Sequence, residues 1–375
     1  MPDVRPLLSI CIPTFNRSRF LRELLESLLP QLASTAPHPA NIELLVSDNH
    51  STDDTAGLVA SFQTLGLPLR YLRNETNVGA DGNFLRCLSL AQGKYVWVLG
   101  DDDLVMPGAI AALLSLLAQG EASEDFDLIY LSSFGFTGTL PRLPPAPTRE
   151  DRFGRFAEIV TDGAYLLEKV NALIGLISVV IINRDRLART QHPPLSKLHD
   201  TNLLQVGWIF PLLHRRCRVL YVWQRLLGYR HFNSGGWGIC EVFGNRLDRI
   251  ARRYFAAEPQ LAQALMNGVL RFWLPDSIML ARTGRERAMQ AEDIAGTLRP
   301  VFSRNWRFWL FVYPVVTLPL PLARAVHTVL RLLNRATRIL QAAWRHLVHS
   351  GQLLHPTDIA PQRPGALPRN AVPRP

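Results

Sequence analysis

The acidic run that closes the segment YVWVLGDDD, Asp101 to Asp103, is the part of this 375-residue chain whose residue types point most directly to chemistry. Three adjacent carboxylates repel one another. Their clustering at the carboxyl end of an apolar strand makes sense where a hard divalent cation sits among them. Such a cation bridges diphosphate oxygens and neutralises a departing nucleotide. Any one aspartate also suits the N-cap of the helix that follows LVMPG, but a cap needs only one carboxylate.

Three further segments fall at the ends of apolar runs. VSDNHSTDDT (46–55) places Asp48 and Asn49 where a second strand stops. PTFNR (13–17) closes the first strand. NETNVGADGNF (74–84) sets Gly79 and Gly82 near a helix start, where backbone N–H groups can face an anion. Asp, Asn and Ser also dominate ordinary turns, so each segment alone is open to a purely local reading.

The elements that must position these residues are legible in the first 135 positions. Leu8–Ile12, Ile42–Val46, Leu69–Leu72, Tyr95–Leu99 and Leu128–Leu131 read as strands. Between them lie helical periods: Phe20, Leu21, Leu24, Leu25, Leu28 and Leu29 in the first, and stretches opened by Thr52–Asp54, Gly79 and Pro107 in the others. Strands alternating with helices predict an α/β fold with a largely parallel sheet and ligands at the carboxyl ends of its strands. Pro141–Asp151 reads as a loop or joint, Ile177–Ile182 and Val219–Val222 as strands, Thr201–Leu213 as a helix, residues 230–238 as a Gly-rich loop and 241–300 as helical.

Taken in order, PTFNR, SDNHSTDDT, NVG and LGDDD resemble the family 2 glycosyltransferases, whose nucleotide-binding half has the Rossmann-like GT-A fold. LGDDD preceded by NVGADGNFLRCL, with IGLISVVIINRDRL later, is most similar to the abequosyltransferase-like branch, which attaches deoxysugars in bacterial surface-polysaccharide synthesis. The resemblance implies a GT-A domain over 1–240, with a nucleotide half at 1–135 and an acceptor half at 150–240. It implies that Pro13, Thr14, Phe15, Asp48, Asn49 and Gly79 hold the nucleotide. It also implies that Asp101 and Asp102 face the diphosphate, and that Asp101 and Asp103 hold Mn2+ or Mg2+. Family members carry an acidic base, often within Glu-Asp. Here SKLHDTNLL offers His199–Asp200 in place of Glu-Asp, making Asp200 the expected base; Asp200 also suits the N-cap of the expected 201–213 helix. No QxxRW motif is present, which favours transfer of a single sugar. Asn49 stands where many relatives have Asp. An amide can donate to the bare N3 of cytosine, which tilts the expected donor toward a CDP-sugar over UDP or dTDP. Two rival readings are a sugar-1-phosphate nucleotidyltransferase, disfavoured because PTFNRSRF lacks a Gly-rich phosphate loop, and a non-catalytic nucleotide-sugar-binding subunit of a membrane assembly.

The net charge of +10 is confined to the C-terminal part. From Arg299 onward 11 Arg accompany one acid, Asp358, and the remainder is neutral, so no nucleic-acid partner is expected. Residues 308–323 are wholly apolar but number 16 with three Pro, short of the ~20 that a spanning helix needs, which predicts a shallow or re-entrant segment. Residues 324–349 place Val326, Val329, Leu330, Leu333, Ile339, Leu340, Ala343, Trp344 and Leu347 on a helical period of threes and fours, with Arg324, Arg331, Arg335, Arg338 and Arg345 on another face. That pattern predicts a helix lying on an anionic membrane surface, with a polyprenyl-diphosphate-linked saccharide as acceptor and the protein on the cytoplasmic face of the cell membrane; packing of the apolar stripe on the domain is the alternative. Residues 350–375 read as disordered. The N-terminal apolar run is too short for a signal peptide, and four Cys without a CxxC pair read as reduced thiols.

Overall fold

Leu8–Ile12, interrupted only by Ser9, and Tyr95–Val98 are apolar runs because their strands are covered on both faces, and every residue of both is buried. The fold is a computed structural model that describes residues 5–34, 41–138, 156–214, 216–231, 238–284, 293–348 and 353–354. Its strands are β1 (Leu8–Thr14), β2 (Ile42–Asp48), β3 (Leu69–Arg73), β4 (Tyr95–Val98), β5 (Leu104–Val105), β6 (Leu128–Phe136), β7 (Ala157–Val160), β8 (Val180–Asn183), β9 (Val219–Arg230) and β10 (Leu353–Leu354). Its helices are α1 (Ser18–Ser34), α2 (Thr55–Thr64), α3 (Gly79–Leu90), α4 (Ala109–Ser123), α5 (Gly163–Val170), α6 (Arg184–Leu187) and α7 (Val206–Ile209), followed by α8 (Leu247–Tyr254), α9 (Pro259–Gly268), α10 (Leu274–Arg282), α11 (Ile294–Phe302), α12 (Tyr313–Thr317) and α13 (Leu320–Val348).

One sheet runs β10-β7-β9-β6-β8-β4-β1-β2-β3, with β5 also paired to β9. The strands β4, β1, β2 and β3 are parallel, as the alternation of strands and helices predicts. Beyond β4 the sheet is mixed: β8 runs antiparallel between β4 and β6, and β7 antiparallel beside β9. An apolar run signals burial on both faces but not strand direction, so the expected parallel character holds for only part of the sheet. A single apolar core extends from Leu8 to Ala323, and α5 packs on α9, so the C-terminal helices share the core of the sheet.

Three expectations change. The helix expected over 201–213 does not form: Asp200 and Asn202 have φ of 59° and 61°, left-handed values that a right-handed helix excludes, and α7 begins only at Val206. The apolar stretch 308–323 is not a re-entrant segment, because Phe308, Phe311, Val312 and Val315 are buried in the protein core. No helix among the described residues is long and apolar enough to cross a membrane. In the tail, Leu353–Leu354 pair with Ala157–Glu158 instead of being disordered, while the rest of 350–375, like Pro141–Asp151 and residues 232–237, lies outside the described residues. All four Cys are buried and free, as the reduced-thiol reading expects.

Candidate active site

The parallel register sets Thr14 of β1 opposite Asp48 of β2, and Leu99, just past β4, donates its N–H to Cys11 O. The segments that follow these three strands therefore open at one end of the sheet. There the Thr14 hydroxyl donates to Asp101 Oδ2 at 2.7 Å. Arg17, from the turn that starts α1, donates through Nη1 to Asp101 Oδ1 at 2.9 Å and to Asp102 Oδ2 at 3.4 Å. Asp103 Oδ1 accepts the Arg230 backbone N–H at 3.0 Å, and its carboxylate also meets the Ser178 hydroxyl. Gly100 lets these groups close in. A Cβ there would stand 3.2 Å from both Asp102 Oδ1 and Asp103 Oδ2.

Burial dominates the electrostatics of this triplet. It lifts the Asp101 carboxyl to about 6, with Asp102 adding to the rise against Arg17 and Thr14. It lifts Asp103 to about 7, with Asp102 again adding. Burial works against the charge of Arg17, yet Asp101 and Asp102 hold its pKa above the ordinary value. Three carboxylates beside one guanidinium leave an excess of negative charge built from hard oxygen donors. That donor set fits a divalent cation completed by diphosphate oxygens. No cluster of three or more His, Cys, Asp or Glu poised to hold a metal unaided occurs among the described residues.

The neighbouring turns are laced together. Asp48 is buried, accepting the Tyr71 hydroxyl at 2.6 Å and the Ser51 N–H at 2.9 Å, with Arg73 at 3.7 Å. Burial, then the bond to Asp48, raises the Tyr71 phenol. Phe15 projects 40% exposed at the rim, next to Pro13 and Thr14 of the β1 terminus. Gly79 begins α3 with φ of +76°, a conformation in which a side chain would be strained.

Residues 9–161 match the profile of Glycosyl transferase family 2. Those residues, about two fifths of the chain, are similar to that family's domain. It is 40% identical over 112 residues to the abequosyltransferase RfbV of Salmonella typhimurium, covering 30% of this chain and 32% of that one. It is 33% identical over 118 residues to the GalNAc(5)-diNAcBac-PP-undecaprenol beta-1,3-glucosyltransferase of Campylobacter jejuni, covering 31% and 36%. The matched part is thus about a third of the length of these relatives. Among solved structures, residues 1–349 of S. aureus TarS, in complex with UDP-GlcNAc, share the fold with a TM-score of 0.54 at 17% identity, over 85% of this chain and 88% of that one. The family 2 domain has the GT-A architecture that the sequence predicts.

Against that domain, Asn49 requires a correction. It is 3% exposed. Its amide nitrogen donates to Asn77 Oδ1 and Gly79 O, and its amide oxygen accepts from Asn74 Nδ2 and the Val78 N–H. The side chain has no capacity left to read a base, so the argument from Asn49 toward a CDP-sugar falls. Asn49 instead pins the β2 and β3 turns to the start of α3. Asn49→Ala is expected to destabilise the fold by about 1–3 kcal/mol, the usual cost of leaving buried polar groups unpartnered. Thermal unfolding checks this, and an unchanged midpoint would refute the structural role.

Asp200 is exposed and lies beside α3. Its N–H donates to Asp81 Oδ2 at 2.8 Å, and its carbonyl accepts from Arg246 Nη1 at 3.0 Å. Burial raises the Asp81 pKa, with the Asp200 charge adding to it. Asp200 caps no helix, so the alternative role that its sequence position allowed is gone. Asp81 is two residues from Gly79 and therefore on the same rim of the crevice. Arg17, Ser178 and Arg230 were not singled out by sequence. Arg17 lies inside the PTFNR motif, but Ser178 and Arg230 carry no local signal, since each reaches Asp103 only through the strand order.

Proposed function

We propose that the protein is an inverting glycosyltransferase that moves one sugar, a deoxysugar by the likeness to the abequosyltransferase, from a nucleoside diphosphate donor to a hydroxyl of a polyprenyl-diphosphate-linked saccharide in bacterial surface-polysaccharide synthesis. The observation that carries this reading is the convergence of Thr14, Arg17, Asp48 and Asp101–Asp103 at one end of the sheet of a family 2 domain. Pro13, Thr14, Phe15, Asp48 and Gly79 line the nucleotide end, and Asn49 shapes it from behind. Asp101 and Asp103 would hold a divalent cation, which when bound neutralises the diphosphate that leaves. Arg17 pairs with Asp101 and Asp102 and adds positive charge beside the diphosphate. Asp200 takes the proton from the acceptor hydroxyl as its oxygen bonds to the anomeric carbon and the bond to the diphosphate breaks. One displacement from the opposite face inverts that centre. A thermal-shift panel of UDP, CDP, dTDP and GDP with Mn2+, followed by turnover of the matching sugar donors, tests the proposal. Stabilisation by none of the four, together with no turnover, refutes it.

We also infer that α13 seats the enzyme on the cytoplasmic face of the membrane. Its side toward the protein includes Ala323, His327 and Asn334, with Val326 and Leu330 partly buried, which leaves Val329, Leu333 and Leu340 of the apolar stripe facing outward. Leu322, Val329, Leu333 and Leu340, spaced by seven, four and seven, are 56–69% exposed, and Arg324, Arg331 and Arg335 are exposed alongside. Each Arg near an anionic leaflet contributes about 1 kcal/mol. The acceptor named for the Campylobacter relative carries a PP-undecaprenol group, which supports a membrane-held substrate. The full-length protein is expected to float with anionic vesicles, and the triple change Val329→Glu, Leu333→Glu, Leu340→Glu to abolish flotation without lowering Tm. Equal flotation of both proteins, or of neither, overturns this.

A further inference from the structure

A cavity of about 1020 Å³ separates the inner face of α13 from the sheet and α5, apart from the acidic crevice. Two single turns of π-helix supply part of its wall: Val269–Trp273 brings Arg271 and Phe272, and Phe308–Val312 brings Phe311. Such turns recur at functional sites because they redirect side chains that a regular helix would keep in register.

The lining is strongly cationic. Lys169, Arg225, Arg271, Arg331, Arg335 and Arg338 line it with Glu168 and Asp276, and Lys169 is paired with Glu158 at 2.9 Å, so the excess charge comes from the arginines. Arg331 stands 3.7 Å from Asp276, which is also hydrogen-bonded to His327. Arg271 and Arg338 form no ion pair among the described residues. Arg271 Nε donates to Asn334 Oδ1 at 2.7 Å and its Nη2 to the Thr337 hydroxyl at 2.8 Å, so neutral groups fix the guanidinium. Burial lowers its pKa, and Arg307 lowers it further against Glu168. The Arg338 guanidinium lies 3.8 Å from the Phe272 ring centre. Asn171, 4% exposed and held at φ of 45°, lines the same space with an Oδ1 that no donor among the described residues satisfies. Tyr130, Tyr221 and Trp223 form an aromatic wall, and the exposed Leu332 and Ile339 of α13 complete the lining.

We propose that this cavity binds the diphosphate of an apolar-tailed saccharide diphosphate, holding the reducing end of the acceptor while its far sugar reaches the crevice; this rests on the glycosyltransferase reading above. The charge calls for a multiply charged anion, the aromatic wall and Asn171 suit a sugar, and the apolar flank of α13 suits the tail. The distance is compatible with the assignment. Arg225 in the cavity and Arg230, whose N–H touches Asp103, are five residues apart on β9, at most about 17 Å at the rise of an extended strand.

The test is calorimetric titration of the full-length protein, without vesicles, using farnesyl diphosphate and inorganic diphosphate as probes in the absence of divalent metal. The wild type is expected to bind farnesyl diphosphate, Arg338→Gln to weaken it by about tenfold or more, and Arg338→Lys to retain most of it. Nucleoside diphosphate affinity, measured with Mn2+, should be equal in all three proteins. Comparable binding of inorganic diphosphate with the same loss in Arg338→Gln would assign the site to the diphosphate alone, without the tail. Equal farnesyl diphosphate affinity in wild type and Arg338→Gln, or no binding to either, overturns the proposal. Loss of nucleotide binding and donor turnover while the farnesyl diphosphate result stands would instead sink the glycosyltransferase reading.

Discussion

Asp103→Ala is expected to lower sugar transfer by about 10³ or more, and EDTA to do the same to the wild type. A metal-held diphosphate contributes several kcal/mol to the departing group, and each 1.36 kcal/mol is tenfold in rate. The fold should survive. Asp103 is a buried carboxylate whose charge burial disfavours, and its loss costs mainly the partner of the Arg230 N–H and of the Ser178 hydroxyl. Asp103→Asn separates the two roles. Its amide oxygen still accepts the Arg230 N–H, so Tm should stay near wild type, while a neutral amide oxygen is a weaker ligand than a carboxylate and transfer should remain low. The measurement is the initial rate of transfer with and without EDTA, with Tm recorded in parallel. Undiminished transfer in EDTA would exclude a metal-held diphosphate and leave Arg17 as the charge that meets the leaving group.

Asp200→Asn should leave donor binding intact and reduce turnover by about 10²–10⁴, the usual range for removal of a general base. The shape changes little, and the two bonds that fix the segment, from the Asp200 N–H to Asp81 and from Arg246 to the Asp200 carbonyl, both use the backbone. A fall in turnover therefore reports the carboxylate and not a collapsed loop. Three other acids, Asp162, Asp185 and Glu241, have distinct surroundings in the fold. Asp162 caps α5 through the Ala164 and Tyr165 N–H groups, and Asp185 is paired with Arg5 at 2.8 Å. Glu241 bonds Arg246, the same side chain that holds the Asp200 carbonyl, and so lies nearest the expected position. Near-normal turnover in Asp200→Asn, combined with a large loss in Glu241→Gln, would move the base to Glu241.

The nucleotide half was legible in the sequence because its signals are local. Apolar runs buried on both faces declare strands, Gly79 and Pro107 mark helix starts, and polar residues at the end of each run, Asp48 and Asp101–Asp103 among them, are carried by strand polarity to a common edge. Pairing and direction are not local. Nothing within Val180–Asn183 says that it inserts antiparallel between β4 and β6, so the mixed half of the sheet, and with it Ser178 and Arg230 beside Asp103, emerged only in three dimensions. Asn49 shows the same limit in a single side chain. Its type suggested base reading, whereas four partners drawn from residues 74–79 consume its bonding capacity. Segment 201–213 misled because its apolar spacing suits a helix, while the backbone at Asp200 and Asn202 turns left-handed to meet Asp81 and Arg246. In α13 the sequence determined that one face is apolar and another arginine-rich. Only packing decided that a third face, the polar one of His327 and Asn334, meets the protein, because Asp276 and Arg271, far away in the chain, supply the hydrogen bonds that make its burial affordable.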